Sequence, residues 1–167
     1  MQKGQVVETI EKGNKAMKKL LGFGLYVAVS MVTIGVVNSS AEVRTIELTG
    51  NDLMQYNTNV IEVKAGEKIK IVFKNVGKLP LVAMGHNVVF LKKGTDVAAF
   101  CTAGITAKET DYIAADQSDK VIAKTKLLGP GDQDEVEFTT PTDPGDYPYV
   151  CTFPGHFALM QGVMKVK

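Results

Sequence analysis

Residues 151–160 read Cys151-Thr152-Phe153-Pro154-Gly155-His156-Phe157-Ala158-Leu159-Met160. Three metal-binding side chains therefore fall within one short stretch. Cys151 and His156 are five positions apart, and Met160 follows His156 by four. A thiolate, an imidazole and a thioether are soft or borderline donors, which suit copper better than calcium or magnesium. The stretch predicts one part of a copper site that the fold must complete from elsewhere in the chain.

The other histidine of the chain, His86, supplies the missing donor. Two imidazoles and one thiolate, with a long axial methionine, form the blue-copper arrangement. We therefore predict that His86, Cys151 and His156 bind one copper ion and that Met160 is a weak axial ligand. The Gly85 carbonyl can approach the opposite axial side, because glycine has no side chain to block it.

Two residues beside these ligands are expected to tune the site. Asn87 directly follows a ligand, and we expect its side chain to tie its strand to the Cys151 loop by hydrogen bonds. The backbone N–H of Phe153 can reach the Cys151 sulfur, whereas Pro154 has no N–H to donate.

The first 41 residues differ from the rest of the chain. Leu20–Val37 is an uncharged apolar run of 18 residues, preceded by two lysines and followed by the small residues of Asn38-Ser39-Ser40-Ala41. This pattern predicts a signal peptide over 1–41, with Met17 as a possible true start. An N-terminal membrane anchor is the alternative, because 18 apolar residues approach the length of a membrane span. Either interpretation predicts export, and periplasmic localisation.

Composition limits the remaining choices. A net charge of +1 argues against nucleic-acid binding, which requires clustered Lys and Arg. Two cysteines allow at most one disulfide. If Cys151 binds metal, Cys101 is either a small buried apolar residue or a site of disulfide-linked dimerisation.

Short alternating segments separated by turns fill the part of the chain after residue 41. The predicted strands are Val43–Leu48, Val60–Val63, Lys68–Lys74, His86–Leu91, Lys120–Leu127, Asp134–Thr140, Tyr147–Cys151 and Gly162–Lys167, and Gly50-Asn51-Asp52 is a predicted turn. Thr95–Ala115 is alanine-rich and predicts a loop with one or two helical turns. About eight strands at this spacing predict an all-β Greek-key sandwich over 42–167 with a short helical flap.

Five segments together make the domain resemble the azurin family of bacterial cupredoxins. They are GNDLMQYNTN (50–59), NVGKLP (75–80), MGHN (84–87), VIAKTKLLGPG (121–131) and CTFPGHFALMQG (151–162). The resemblance implies an eight-stranded sandwich with a flap near 95–115. It also implies a ligand set of the Gly85 carbonyl, His86, Cys151, His156 and Met160, with Asn87 next to them.

Six apolar residues are predicted to surround His156: Leu79, Met84, Phe153, Pro154, Phe157 and Ala158. They are either ordinary core residues or an exposed patch that docks a redox partner. A small apolar patch would suit the weak, transient contacts of electron-transfer proteins.

The pattern favours a one-electron carrier that cycles between Cu(I) and Cu(II). Its expected partners are envelope redox proteins such as c-type cytochromes, and we expect a monomer that meets the membrane only through an uncleaved N-terminal segment. A copper-delivery protein without redox cycling is the alternative. An enzyme is disfavoured, because two histidines are too few to build a second copper with open coordination.

Overall fold

The computed structural model describes residues 43–167, which form a two-sheet β-sandwich. Nine strands occur in this part of the chain: β1 Arg44–Asn51, β2 Gln55–Tyr56, β3 Val60–Val63, β4 Lys68–Asn75, β5 Val89–Leu91, β6 Val121–Lys124, β7 Gln133–Thr139, β8 Gly145–Val150 and β9 Gln161–Val166. The helices are α1 Leu81–Met84, α2 Val97–Ala103 and the 3-10 helices Lys108–Thr110, Ala115–Lys120 and His156–Ala158. The predicted all-β sandwich with a helical flap is confirmed.

The two sheets are mixed. One has the strand order β2-β1-β4-β7, and the other has the order β3-β9-β8-β5-β6. Strands β1 and β4 pair in parallel, as do β3 and β9, whereas the remaining pairs are antiparallel. Strands that follow one another in sequence are therefore often in opposite sheets, and the chain closes around one core as Greek-key connections do.

The alternation predicted for β4 fills that core. Ile69, Ile71 and Phe73 are fully buried between the sheets. Lys70 is on the opposite face, where its ammonium lies 3.4 Å from a carboxylate oxygen of Glu135 on β7. Such solvent-exposed pairs add little stability, so burial of the apolar face is what holds β4 in register.

The segment 86–91 departs from its prediction as one continuous strand. Only Val89–Leu91 is a strand, and His86 forms an isolated bridge with Leu128. The ladder is interrupted because the Val88 N–H donates to the Thr125 hydroxyl at 3.0 Å rather than to a backbone carbonyl. His86 is consequently held against the loop after β6 while the residues that follow it join the sheet.

Two smaller elements also differ from prediction. The predicted turn Gly50-Asn51-Asp52 begins later, since Gly50 and Asn51 still belong to β1. The Asn51 side chain accepts hydrogen bonds from the N–H groups of Leu53 and Gln55, which shapes the turn into the unpredicted strand β2. Helix α1 was also not predicted, because four residues are too few to show a helical period.

The flap carries Cys101 into a small core of its own. Asp96 caps α2 by accepting a hydrogen bond from the Ala99 N–H at 3.0 Å. The helix then buries Phe100 and Cys101 against Val89 and other residues of the β5 sheet. Cys101 is a free thiol with 1% of its surface exposed, so it packs as a small apolar side chain.

The predicted signal peptide or anchor at 1–41 lies outside the described residues. Within residues 43–167, no helix combines the length and the apolar character that crossing a bilayer requires.

Candidate metal centre

Three predicted donors meet at one end of the sandwich. The donor atoms of His86, Cys151 and His156 all lie within 4.8 Å of one another. Cys151 Sγ is 3.9 Å from Nδ1 of His86 and 3.6 Å from Nδ1 of His156. All three side chains are buried. Ring nitrogens and a sulfur that face one another at this spacing can share one small metal ion.

The loop between β8 and β9 holds its own donors in place through backbone hydrogen bonds. The Cys151 N–H donates to the Met160 carbonyl at 3.0 Å, and the Met160 N–H donates to the His156 carbonyl at 2.8 Å. Gly155 has a φ of 84°, a conformation that side chains disfavour, and it starts the 3-10 helix that carries His156. The three predicted ligands of the loop are therefore linked to one another before any metal binds.

His86 and Gly85 reach the donor cluster from a second segment of the chain, between α1 and β5. The Gly85 carbonyl oxygen lies 3.9 Å from Cys151 Sγ, so it faces the donor cluster. A Cβ at Gly85 would lie 2.9 Å from the Leu81 carbonyl and side chain, which is too close for any larger residue. His86 is fixed by two backbone hydrogen bonds to Leu128, of 3.1 and 2.8 Å.

Asn87 connects these two halves of the centre. Its side-chain amide donates to the Thr152 hydroxyl at 2.8 Å, and its side-chain oxygen accepts from the Thr152 N–H at 2.9 Å. Both residues are buried. The segment that carries His86 is thereby held to the residue next to Cys151.

Tyr56 supports the same link and was missed from the sequence. Its hydroxyl donates to the Asn87 carbonyl at 2.6 Å. Burial, and then the nearby Cys151, raises the pKa of Tyr56 well above its usual value. The contact joins residues 31 positions apart, and an aromatic residue on a two-residue strand gives no sequence signal for it.

Burial sets the protonation states of the metal-free donors. It lowers the pKa of His156 to about 4, with a smaller contribution from His86. The pKa of His86 is also lowered by burial, against weaker opposing effects of the Asn51 backbone and Asp52. Both imidazoles are thus neutral near pH 7, the state in which they bind metals.

The thiol of Cys151 is the donor that must lose a proton. Burial raises the pKa of Cys151 to about 12, although the backbone N–H groups of Asn87 and Phe153 act in the opposite direction. A bound cation supplies the positive charge that the buried thiolate lacks. Two neutral imidazoles and one thiolate with fixed positions are a donor set that fits copper.

Nε2 of His86 is the one buried side-chain nitrogen or oxygen atom without a hydrogen bond among residues 43–167. The Asn51 backbone lies close enough to raise the pKa of His86 against the effect of burial, but not with the geometry of a hydrogen bond. A metal at Nδ1 requires the proton to reside on Nε2, which could then donate to a backbone carbonyl such as that of Asn51.

The six predicted patch residues are not equally accessible. Leu79 and Ala158 are exposed, and Met84, Pro154 and Phe157 are half-buried. Phe153 is only 9% exposed, because its ring packs 4.5 Å from that of His156 and 5.5 Å from that of Tyr112. Phe153 therefore lies beneath the surface that its neighbours form.

Sequence reasoning missed three more accessible apolar residues close to this surface: Leu81, Val82 and Leu159. Val82 is 80% exposed and Leu159 is 63% exposed. Leu81 and Val82 lie on α1, whose four residues bury none of their side chains. The helix was not predicted, so its apolar side chains were not assigned to the surface.

The profile of a known family covers the whole described domain. Residues 42–167 match the copper binding proteins of the plastocyanin/azurin family. The chain belongs to this family. The predicted resemblance to azurins is therefore confirmed, and copper is the cofactor that the family and the His86, Cys151 and His156 cluster together indicate.

Individual family members agree with this assignment. The chain is 41% identical over 125 residues to an azurin of Alcaligenes faecalis, across 72% of this chain and 96% of that protein. It is 38% identical over 144 residues to an azurin of Pseudomonas aeruginosa, across 84% of this chain and 96% of the relative. Auracyanin A of Chloroflexus aurantiacus, a "blue" copper protein, superimposes with a TM-score of 0.66 at 34% identity, over 74% of this chain and 98% of its own.

Proposed function

We propose that this plastocyanin/azurin-family protein is a one-electron carrier whose copper ion is bound by His86, Cys151 and His156. Met160 and the Gly85 carbonyl are the proposed axial ligands. The observation that supports this proposal is the buried cluster in which two imidazole nitrogens and one sulfur lie within 4.8 Å of one another. Bound copper supplies a couple between Cu(I) and Cu(II), and thiolate and imidazole ligands suit both oxidation states.

The chain's own residues keep the donors in one arrangement. Asn87 and Thr152 connect the two segments that carry the ligands, and Leu128 holds His86 by backbone pairing. A site whose donors cannot move much between oxidation states rearranges little when an electron arrives or leaves. Low rearrangement favours electron transfer over a reaction that needs an open coordination position.

The docking surface of the proposed carrier is the apolar patch around the His156 loop. It combines the predicted Leu79, Met84, Pro154, Phe157 and Ala158 with the exposed Leu81, Val82 and Leu159. A patch of this kind suits brief contact with another redox protein, for which a c-type cytochrome in the periplasm is our proposal. Export and a monomeric state are parts of the same proposal, and N-terminal sequencing of exported material tests the cleavage after residue 41.

The test is to add Cu(II) to the purified, metal-free protein and to record its visible spectrum and voltammogram. An intense blue band and a fast reversible one-electron wave are expected. Cys151→Ser should abolish the band, because it removes the thiolate, whereas the matched variant Cys101→Ser should retain it. Binding of Cu(I) without a blue Cu(II) form would overturn the proposal in favour of copper delivery.

Docking is tested separately by the rate of electron exchange with a reduced c-type cytochrome. Val82→Asp places a charge on the patch at a side chain that is 80% exposed, so the fold and the blue band should be unchanged. Slower exchange is expected. An unchanged rate with an intact blue band would refute the patch while leaving the copper assignment in place.

A further inference from the structure

Gly50 lies where Met160 and His86 come together, although it binds nothing itself. It is buried near the end of β1, and its backbone pairs with Asn75 on one side and Tyr56 on the other. A Cβ built at Gly50 would lie 2.6 Å from the Met160 methyl carbon, 3.0 Å from the Phe73 ring and 3.4 Å from the His86 Cβ. The space of the missing side chain is therefore filled mainly by the Met160 methyl group and the Phe73 ring.

The backbone does not explain this glycine. Gly50 is not among the described glycines with a positive φ, which are Gly66, Gly94, Gly131, Gly145 and Gly155. Its conformation is that of an ordinary strand residue, which alanine adopts without strain. Glycine is therefore needed at position 50 because a larger side chain lacks space there, and not because of the backbone conformation.

We propose that Gly50 is a positioning residue that sets where the Met160 thioether comes to rest, an inference that rests on the proposed copper ligation. The three neighbours of the missing Cβ differ in how far they can yield. Phe73 is fully buried, and the centroid of its ring lies 6.0 Å from that of Tyr56 in an edge-on contact, so Phe73 has little room to move. Met160 presents the free end of a flexible side chain, and it yields first.

Movement of the Met160 methyl group moves the adjacent sulfur. A methyl group at Gly50 would therefore change the axial donor without removing it.

The first experiment follows the Met160 methyl group in the metal-free protein by nuclear magnetic resonance, with labelled methionine methyl groups. Gly50→Ala should shift the Met160 resonance by more than its linewidth. The matched control is Gly145→Ala at the far end of β8, where an added Cβ meets the flexible end of Lys93 at 2.7 Å. That variant is strained and costs stability, but it should leave the Met160 resonance unmoved. An unmoved resonance in Gly50→Ala would overturn the inference.

The second experiment measures the reduction potential of the copper-loaded variants. Gly50→Ala should differ in potential from the unmodified protein, and Gly145→Ala should not. In a Met160→Ala background the closest of these contacts is removed, so adding Gly50→Ala should change the potential no further. Gly50→Ala should also lower the melting temperature less in this background than it does in the unmodified protein. Equal costs in both backgrounds would show that Met160 is not what the new side chain meets, and would overturn the inference.

These outcomes separate the inference from the proposed function. Absence of a reversible wave in the unmodified protein would refute the electron carrier. The methyl resonance of the metal-free protein would still test Gly50. If Gly50→Ala does not fold alone, recovery of folding in the double variant with Met160→Ala supports the inference, and failure of both variants to fold contradicts it.

Discussion

Met160 is the proposed axial ligand, so we expect that its contribution to the centre can be changed without loss of the other three ligands. It is fully buried, and its backbone is hydrogen-bonded to the backbone groups of Cys151 and His156. A weak axial donor stabilises Cu(II) more than Cu(I), because the more highly charged ion gains more from an added electron pair. Removing it should therefore favour Cu(I).

Met160→Leu is expected to keep copper bound and to raise the reduction potential. A rise of about 59 mV would mean a tenfold change in the ratio of the Cu(I) and Cu(II) affinities. Voltammetry of the copper-loaded variant measures it. Loss of copper from Met160→Leu would show that the thioether is a principal ligand rather than a weak axial one.

Cys101 gives a pH dependence that is independent of metal binding. Burial raises its pKa from 9.0 to about 12, with a smaller effect of Cys151. The unfolded thiol ionises near pH 8.5, so above that pH the unfolded chain binds fewer protons than the folded chain. The stability from keeping this thiol neutral is therefore complete below about pH 8.5 and falls as the pH rises towards 12.

Urea unfolding of the metal-free protein at pH 7 and pH 10 tests whether stability falls with rising pH as expected. Between these values the unmodified protein should lose more stability than Cys101→Ala, by at most about 2 kcal/mol. Cys151 is present in both proteins, so its own ionisation cancels in the comparison. Equal losses in the two proteins would show that the Cys101 thiol ionises as easily in the folded state as in the unfolded chain.

Among the elements, the link between the segment before β5 and the β8–β9 loop decides how firmly the centre is held. Asn87→Ala removes both hydrogen bonds to Thr152. Each is worth about 0.5–1.5 kcal/mol, so the metal-free protein should lose about 1–3 kcal/mol in urea unfolding. The blue band of the copper-loaded variant should also shift, because His86 and Cys151 are no longer tied together.

A matched control lies at the opposite end of the sandwich. The Thr140 hydroxyl donates to the Lys64 carbonyl at 2.6 Å and accepts from the Glu67 N–H at 2.9 Å. Thr140→Val removes these two hydrogen bonds with almost no change of shape. It should cost similar stability and leave the blue band in place. If both variants shift the band equally, the Asn87 link has no special role at the centre.

Elements with a strong local pattern could be predicted, and elements made by tertiary contacts could not. Strand β4 alternates strictly, and its apolar face is buried as expected. The sequence predicts His86 inside a strand, yet it forms an isolated bridge with Leu128, because the Val88 N–H donates to the Thr125 hydroxyl. That competition between a side chain and a backbone carbonyl leaves no trace in hydrophobic periodicity.

The same distinction holds for the centre. Spacing and donor chemistry bring Cys151, His156 and His86 into one prediction, and the structure brings their donor atoms together. Gly50 and Tyr56 could not be found in this way, since their importance depends on which side chains occupy the space around them. Residues that act by shape are visible only after the fold is known.

At the scale of the described domain, residues 43–167, contacts within the protein link the segments that carry the proposed ligands. The cluster is bordered by β8 and β9, and His86 is paired with the loop after β6. These contacts are backbone and side-chain hydrogen bonds within the protein itself, and the core beneath them is apolar. These contacts predict that the donors keep their arrangement when the metal is removed.

Removal of copper is accordingly expected to leave the β-sandwich folded while lowering its melting temperature. A ligand that binds only the folded state adds about 2.7 kcal/mol when its free concentration is one hundred times its dissociation constant. Circular dichroism of the metal-free and copper-loaded protein should show the same sheet signal at room temperature and different midpoints on heating. Loss of the sheet signal in the metal-free protein would mean that copper builds the site rather than entering one already formed, and a rigid carrier would then be the wrong description of this fold.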